Sequence, residues 1–334
     1  MDIMNNSHLY EIAKKLVAPG KGILAADEST GTIEKRLASI DLPSTEKHRR
    51  DYRELLFTAP EVEKFISGVI MFDETVRQSS SLGKPFPKLL ADRGIIPGIK
   101  VDKGVVELPN FPGEMVTEGI DGLRDRLAEY SKMGLKFAKW RAVFSMEGKL
   151  PTQTCIDTNS DLLARYTTYC QEAGLVPIVE PEVLMKGNHT IEEFAKDNKR
   201  VLKTVFIYLD KHKVDIKGML LKPSWVHGGM DGVNKTDSMQ VAKETLKVFK
   251  EVLPDELPGV VFLSGGDSPE DATSHLDKLN EIDNVPWQLS FSFGRALQEP
   301  VLETWLGKEE NIRDAQQVFY ERARLNSLAR EGDY

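Results

Sequence analysis

The sequence predicts an α/β protein of the (β/α)8 TIM-barrel class, a single domain over residues 1–334 with extra helices at both ends, residues 311–334 forming a C-terminal helical extension. Three observations predict it. Short β-rich apolar runs recur with helical patterns between them, as parallel strands joined by crossover helices require. Eight such units over roughly 300 residues match a closed barrel, whose usual length is about 250 residues plus insertions. An open doubly wound sheet usually carries G-x-G-x-x-G or G-x-x-x-x-G-K-[ST] at a nucleotide loop, and neither is present; Lys21 in PGKG is not followed by Ser or Thr. No linker rich in Pro, Gly or Ser divides the chain.

In chain order the expected strands are GILAAD from Gly22, FISGVIMFDET from Phe65, IPGIKVD from Ile96 and FAKWRAVF from Phe137. They continue with LVPIVEPEV from Leu175, IKGMLLKPS from Ile216, GVVFLSGG from Gly259 and WQLSFSFG from Trp287. Between them Ile120, Leu123, Leu127 and Tyr130 share one helical face, as do Leu162, Tyr166 and Tyr169. Thr190 and Glu193 have capping-box spacing, Ser268-Pro269 reads as an N-cap followed by the first helical residue, and Gly174 stands where a helix must stop. Asn311 to Arg330 reads as a helix outside the repeating unit.

With 44 basic and 52 acidic side chains the formal charge is −8, which argues against general attraction to nucleic-acid phosphates, so any anion site must be locally basic. Cys155 and Cys170 lack C-x-x-C spacing, which suggests neither a disulfide framework nor a thiolate zinc site and fits a reducing cytoplasm. No apolar segment has the length of a membrane span or a signal sequence, so the N-x-[ST] matches at Asn5, Asn188 and Asn234 read as chance. The six histidines are scattered without metal-ligand spacing, and the serines lack a G-x-S-x-G elbow. No metal and no cofactor is expected from these patterns.

The functional signal is positional, because nearly every apolar run ends at its carboxyl side in charged or hydroxyl residues, where barrel enzymes build their sites. These are Asp27, Asp73 with Glu74, Lys100 with Asp102, Lys139 with Arg141, Glu180 with Glu182, Lys222, Ser264-Gly265-Gly266, and Ser292 with Gly294 and Arg295. Period-two alternation points Lys100 with Asp102, Lys139 with Arg141, and Glu180 with Glu182 the same way, into the barrel. Singly, each reads equally well as a solvated rim charge. Lys222 follows three large apolar residues in MLLKPS, so its stem leaves an apolar wall; a desolvated lysine beside a second cation is the setting of a nucleophilic amine. Ser264-Gly265-Gly266 before a helix start, with Arg295 on the next unit, offers an anion backbone amides and a guanidinium. Ser29, Thr32, Lys35 and Arg36 form a second cluster, which reads equally well as a helix N-cap with an exposed basic face. Two anion sites would mean a substrate with two phosphates.

These residues resemble those of the class I fructose-1,6-bisphosphate aldolases of glycolysis and gluconeogenesis. The runs APGKGILAADESTGTIEKRL, GIKVDKGVV, FAKWR, VPIVEPE, LLKPS, FLSGG and FSFGRAL are similar to family blocks in the family's order, over essentially the whole chain. The resemblance implies a lyase that cleaves fructose 1,6-bisphosphate reversibly to dihydroxyacetone phosphate and glyceraldehyde 3-phosphate, without metal or cofactor. It implies that Lys222 forms the Schiff base, Glu180 gives and takes protons with Lys139 assisting, Asp27 takes the C4 hydroxyl proton, and Glu182 orients Lys222. Ser264, Gly265, Gly294 and Arg295 would hold the C1 phosphate, beside Gly266 of the same turn, with Ser29, Thr32, Lys35, Arg36, Lys100 and Arg141 around the C6 end. It further implies a cytoplasmic homotetramer with Asp121 at an interface. Family members usually carry Glu at the place of Lys217, Tyr at that of Phe293 and often Gln at that of Asp267. Animal members carry a tail whose terminal Tyr is linked to proton exchange on the enamine; Tyr334 aligns with the beginning of that tail and is not given its role. Two other readings stand beside this one: a Schiff-base barrel enzyme acting on a monophosphate sugar, which the paired anion clusters disfavour, and a scaffolding protein that kept the fold, which the intact charged strand ends disfavour.

Overall fold

A computed structural model describes residues 6–232, 236–282 and 285–334, so Asn5 and Asn234 of the N-x-[ST] matches lie outside the described residues. The strands in chain order are β1 (Gly22–Ala26), β2 (Ile66–Met71), β3 (Ile96–Lys100), β4 (Val105–Glu107), β5 (Met115–Thr117), β6 (Phe137–Phe144), β7 (Val176–Val183), β8 (Leu220–Leu221), β9 (Gly259–Phe262) and β10 (Gln288–Phe293). Eight of them close a parallel barrel in the order β1-β2-β3-β6-β7-β8-β9-β10, with β10 pairing back onto β1. All eight expected runs contribute one barrel strand each. The antiparallel hairpin of β4 and β5 is additional; its three-residue strands carry half-exposed valines and give no apolar run to read.

Two boundaries moved. Asp73 and Glu74 open a short helix, Asp73–Arg77, instead of ending β2. Of IKGMLLKPS, Ile216–Gly218 is a 3-10 turn and only Leu220–Leu221 is strand. Lys222 still extends the ladder, its N–H donating to Val179 O at 2.8 Å. The helix starts were legible: Thr190 and Glu193 form a full capping box, and Ser268 Oγ accepts from the Asp271 N–H ahead of Pro269. Gly174 ends the helix Gln153–Glu172 with φ +73°, a conformation glycine adopts without steric cost.

The inner and outer faces of the barrel separate along each strand with period two. Leu24, Ala26, Ala138, Trp140, Val179, Leu221, Val260 and Phe262 face outward and pack against the helices. Ile23, Ala25, Ile70, Phe137, Val176, Ile178, Leu220 and Val261 face inward, where Leu9, Ala13 and Leu16 of the helix Ser7–Leu16 join them and close the bottom. Gly98 makes room for that layer, since a Cβ there would stand 2.3 Å from the Phe137 ring. The lower half of the interior is therefore a packed, mainly apolar plug, with Ser290 beside Val261, and the charged side chains on the inward register appear only above it.

The C-terminal helix, Ile312–Glu331, is tied to the same lower end. Arg330, almost buried, donates to the carbonyls of Leu289 at 2.6 Å, Ala18 at 3.2 Å and Val17, and Ser327 Oγ donates to Gly20 O at 2.6 Å. Tyr334 donates its N–H to Asp277 near the C-terminal end of the helix Pro269–Asn280. Asp277 lies nine residues from the N-cap, Ser268, roughly 14 Å along the axis at 1.5 Å per residue, so Tyr334 sits far below the barrel mouth. Arg330→Ala orphans several buried carbonyls at once and is expected to lower unfolding free energy by about 2–4 kcal/mol, read as a reduced urea midpoint, with Arg330→Lys recovering part of it.

Candidate active site

Continuing the inward register upward from the plug places the charges. Two residues beyond Phe137 comes Lys139 and then Arg141; two beyond Ile178 come Glu180 and then Glu182. Asp27 follows Ala25, Lys100 follows Gly98, and Lys222 follows Leu220 by the same step. All of them line one cavity of about 360 Å³ at the carboxyl ends of the strands, with Ser29, Thr32, Arg36, Asp102, Ser264, Gly265, Ser292, Gly294 and Arg295. The lining holds six cations and five carboxylates, a locally positive site in a chain of net charge −8.

Lys139 is the hub. Its Nζ lies 2.8 Å from Asp27 Oδ2 and 3.0 Å from Glu180 Oε2, and the other Glu180 oxygen lies 3.1 Å from Lys222 Nζ. The four side chains are almost wholly buried. Burial alone would raise the Asp27 carboxyl, but Lys139 and Lys222 beside it outweigh that effect and hold it far below the usual carboxylate range. Burial likewise opposes ionisation of Glu180, and Lys139, Lys222 and Arg141 outweigh it, leaving its pKa lowered. Burial disfavours the Lys139 ammonium too, yet Asp27, Glu180 and Asp102 raise its pKa above that of a free lysine. Asp27, Glu180 and Lys139 are therefore charged together at neutral pH.

Around the hub, Lys100 pairs with Asp102 at 2.6 Å and Arg141 Nε with Glu182 Oε2 at 2.5 Å. Glu182, expected to orient Lys222, thus serves Arg141, and the carboxylate on Lys222 is Glu180. The register gives the reason: Val179 pairs with Leu221, so Lys222 stands level with Glu180, and Glu182 is one pleat higher. At the mouth, Arg36 is held by Glu28, which also accepts from Arg53 at 2.6 Å and from Gln298 Nε2 at 2.9 Å. Burial works against the Glu28 charge and the two arginines prevail, lowering its pKa. Arg295 Nη2 donates to the Gly265 and Asp267 carbonyls at 3.0 and 3.2 Å, bracing the turn after β9.

Of the sixteen expected site residues, Lys35 and Gly266 fall outside the lining. Lys35 is exposed on the helix Thr30–Ala38, whose Thr32 and Arg36, four residues apart, face the pocket. Gly266 is covered by Met230, whose Sδ would lie 2.0 Å from an added Cβ. Asp73 and Glu74 also lie elsewhere: Asp73 is bonded by Arg77 and Tyr130, and Glu74 pairs with Arg49 at 2.5 Å. The two expected anion clusters are neighbours, since β10 adjoins β1 and a Cβ on Gly294 would stand 3.8 Å from Arg36 Nη2. Glu28 was missed. Its arginine partners are 8 and 25 residues away and Gln298 is 270 away, and an acid following Asp27 at a strand end carries no periodic signal.

The family model for class-I fructose-bisphosphate aldolase matches residues 8–334. A probable class 1 fructose-bisphosphate aldolase from Xylella fastidiosa (strain 9a5c) is 50% identical over 99% of this chain and 99% of its own. Fructose-bisphosphate aldolase 4, cytosolic, of Arabidopsis thaliana is 47% identical over 99% of this chain and 85% of its own. Fructose-bisphosphate aldolase from Plasmodium falciparum, solved in complex with TRAP and a small-molecule inhibitor, matches with a TM-score of 0.97 and 47% identity over 98% of this chain and 95% of that one.

Because folding lowers the proton affinity of Asp27 and Glu180, their ionised forms stabilise the native state above the ordinary values of 3.8 and 4.5, and that contribution is lost as pH falls through the lower native values. This network's share of the urea midpoint is therefore expected to be flat from neutrality to about pH 5 and to fall below about pH 4. In Lys139→Met, burial of the two carboxylates loses its main counter-charge; stability at neutral pH should drop by about 3–5 kcal/mol, and the deficit relative to the wild type should shrink as pH falls below about 5, because protonation relieves the unpaired carboxylates. Parallel pH profiles for the two proteins would contradict the hub role.

Proposed function

The chain belongs to the class I fructose-bisphosphate aldolase family, and from that premise we propose that Lys222 is the residue through which its pocket acts. The reaction is the reversible aldol cleavage of fructose 1,6-bisphosphate to dihydroxyacetone phosphate and glyceraldehyde 3-phosphate. The observation that carries the assignment is the 3.1 Å contact between Lys222 Nζ and Glu180 at the top of an apolar plug. Glu180 takes the proton Lys222 sheds as its nitrogen attacks the C2 ketone, then returns a proton to the carbinolamine hydroxyl as water leaves. The protonated imine is the electron sink: Asp27 takes the C4 hydroxyl proton, the C3–C4 bond breaks, its electrons form the enamine and glyceraldehyde 3-phosphate departs. Protonation at C3 and hydrolysis of the imine release dihydroxyacetone phosphate and restore Lys222.

Lys139, between Asp27 and Glu180, keeps both carboxylates ionised until each takes its proton. Glu182 fixes Arg141 and acts on the reacting atoms only through it. Ser264, Gly265, Gly294 and Arg295 form the C1 phosphate site, supported by the braced turn after β9. Ser29, Thr32, Arg36, Lys100 and Arg141 surround the C6 end, with Glu28 positioning Arg36. The assembly is a homotetramer by family resemblance, with the exposed Asp121 available for an interface, and the compartment is the cytoplasm, supported by the identity with a cytosolic plant aldolase. No described helix is long and apolar enough to cross a membrane.

Exchange of the C2 oxygen of dihydroxyacetone phosphate with labelled water reports imine formation without C–C cleavage. Lys222→Ala is expected to lose exchange and cleavage together, on the order of 10⁴-fold or more, whereas Asp27→Asn should keep exchange and lose cleavage by about 10²–10⁴-fold. Exchange surviving in Lys222→Ala would overturn the assignment. Ser29→Ala combined with Thr32→Ala should raise KM for fructose 1,6-bisphosphate about tenfold and leave dihydroxyacetone phosphate binding unchanged, while Arg295→Ala should weaken both.

A further inference from the structure

One group of ligand-type side chains among the described residues lies outside the pocket lining. His227 follows β8, Asp267 follows β9, and His275 lies on the helix Pro269–Asn280, so three separate segments converge. Their donor atoms all lie within 4.8 Å of one another. Asp267 Oδ1 is 3.8 Å from His227 Nε2 and 3.9 Å from His275 Nε2, and none of the three side chains is more than 11% exposed.

Each ring is oriented from its far side. His227 Nδ1 donates to the Gly228 carbonyl, an atom that can only accept, so the neutral ring carries its lone pair on Nε2. His275 Nδ1 lies 2.9 Å from Ser238 Oγ, and Trp225 packs edge-on against that ring at 5.8 Å. Imidazoles held by a hydrogen bond on one nitrogen and turned with the other toward a common point are how proteins set histidine ligands. Asp267 brings a carboxylate oxygen to the same point.

We propose that His227, Asp267 and His275 bind one divalent transition-metal ion of the zinc type. Two imidazoles and one carboxylate suit zinc, nickel, cobalt or copper, whereas magnesium and calcium call for oxygen ligands. A tetrahedral ion with bonds of about 2.0–2.2 Å holds its donors roughly 3.3–3.5 Å apart. The two Asp267 separations close by a few tenths of an ångström, the two imidazoles draw together from a separation of at most 4.8 Å, and a water fills the fourth position. The ion stands behind the phosphate turn, not at the reacting carbon. The Asp267 N–H donates to Ser264 O at 3.1 Å and its carbonyl accepts from Arg295, so the ion braces the turn from the side opposite the pocket. Binding of the ion itself is independent of the roles assigned to the pocket residues.

The test is metal uptake by the full chain. Protein stripped with a chelator is titrated with Zn²⁺ by calorimetry and with Co²⁺ by its visible ligand-field absorption. The expected result is one ion per chain at micromolar affinity or tighter and a four-coordinate Co²⁺ spectrum. His227→Ala and His275→Ala should each weaken binding at least about a hundredfold, and Ser238→Ala, which removes only the hydrogen bond behind His275, by about 10–100-fold. His48→Ala, at a ring whose Nδ1 lies 2.6 Å from the Pro43 carbonyl and takes no part in the cluster, should bind as the wild type does. Wild-type protein that takes up no stoichiometric ion, or uptake unchanged in both folded His227 and His275 variants, would overturn the proposal.

Discussion

The pocket depends on one buried arrangement: a lysine ammonium, Lys139, shared between the carboxylates of Asp27 and Glu180, with Lys222 on the far oxygen of Glu180. Removing an ion from water costs several kcal/mol even after relaxation, and only close opposite charge offsets it. Those four groups therefore hold one another in place. None can be replaced by a neutral group without leaving a buried charge unmatched, and so the proposed nucleophile, proton carrier and base are fixed together.

That arrangement is possible because the barrel interior is divided by height. Below, Phe137, Ile178, Leu220 and their neighbours, closed by Leu9, Ala13 and Leu16, form a close-packed apolar floor. Above, the next inward positions of the same strands are the charges. A strand with period two reads both layers from one register, so fold and site are specified by the same residues. The terminal helix is anchored through Arg330 to the lower carbonyls.

Much of this was legible in the sequence. The eight runs, the capping box at Thr190, the start at Ser268-Pro269 and the inward pairing of Lys139 with Arg141 and Glu180 with Glu182 all follow from local periodicity. What local periodicity cannot supply is the relative height of neighbouring strands, and that decided whether Glu180 or Glu182 meets Lys222. Facing on a short helix was equally hidden, which is why Lys35 was grouped with Arg36. The brace of Glu28 on Arg36 and Arg53, and the convergence of His227, Asp267 and His275, join residues with no common spacing; they exist only once the barrel is closed.

In the proposed reaction the Lys222 nitrogen becomes covalently bonded to the ketone carbon. The most direct measurement is borohydride reduction of the protein in the presence of dihydroxyacetone phosphate, followed by mass spectrometry of the peptides. A single stable adduct is expected, on the peptide containing Lys222. A protein that cleaves fructose 1,6-bisphosphate yet yields no adduct there, or one that yields it on Lys139, would contradict it.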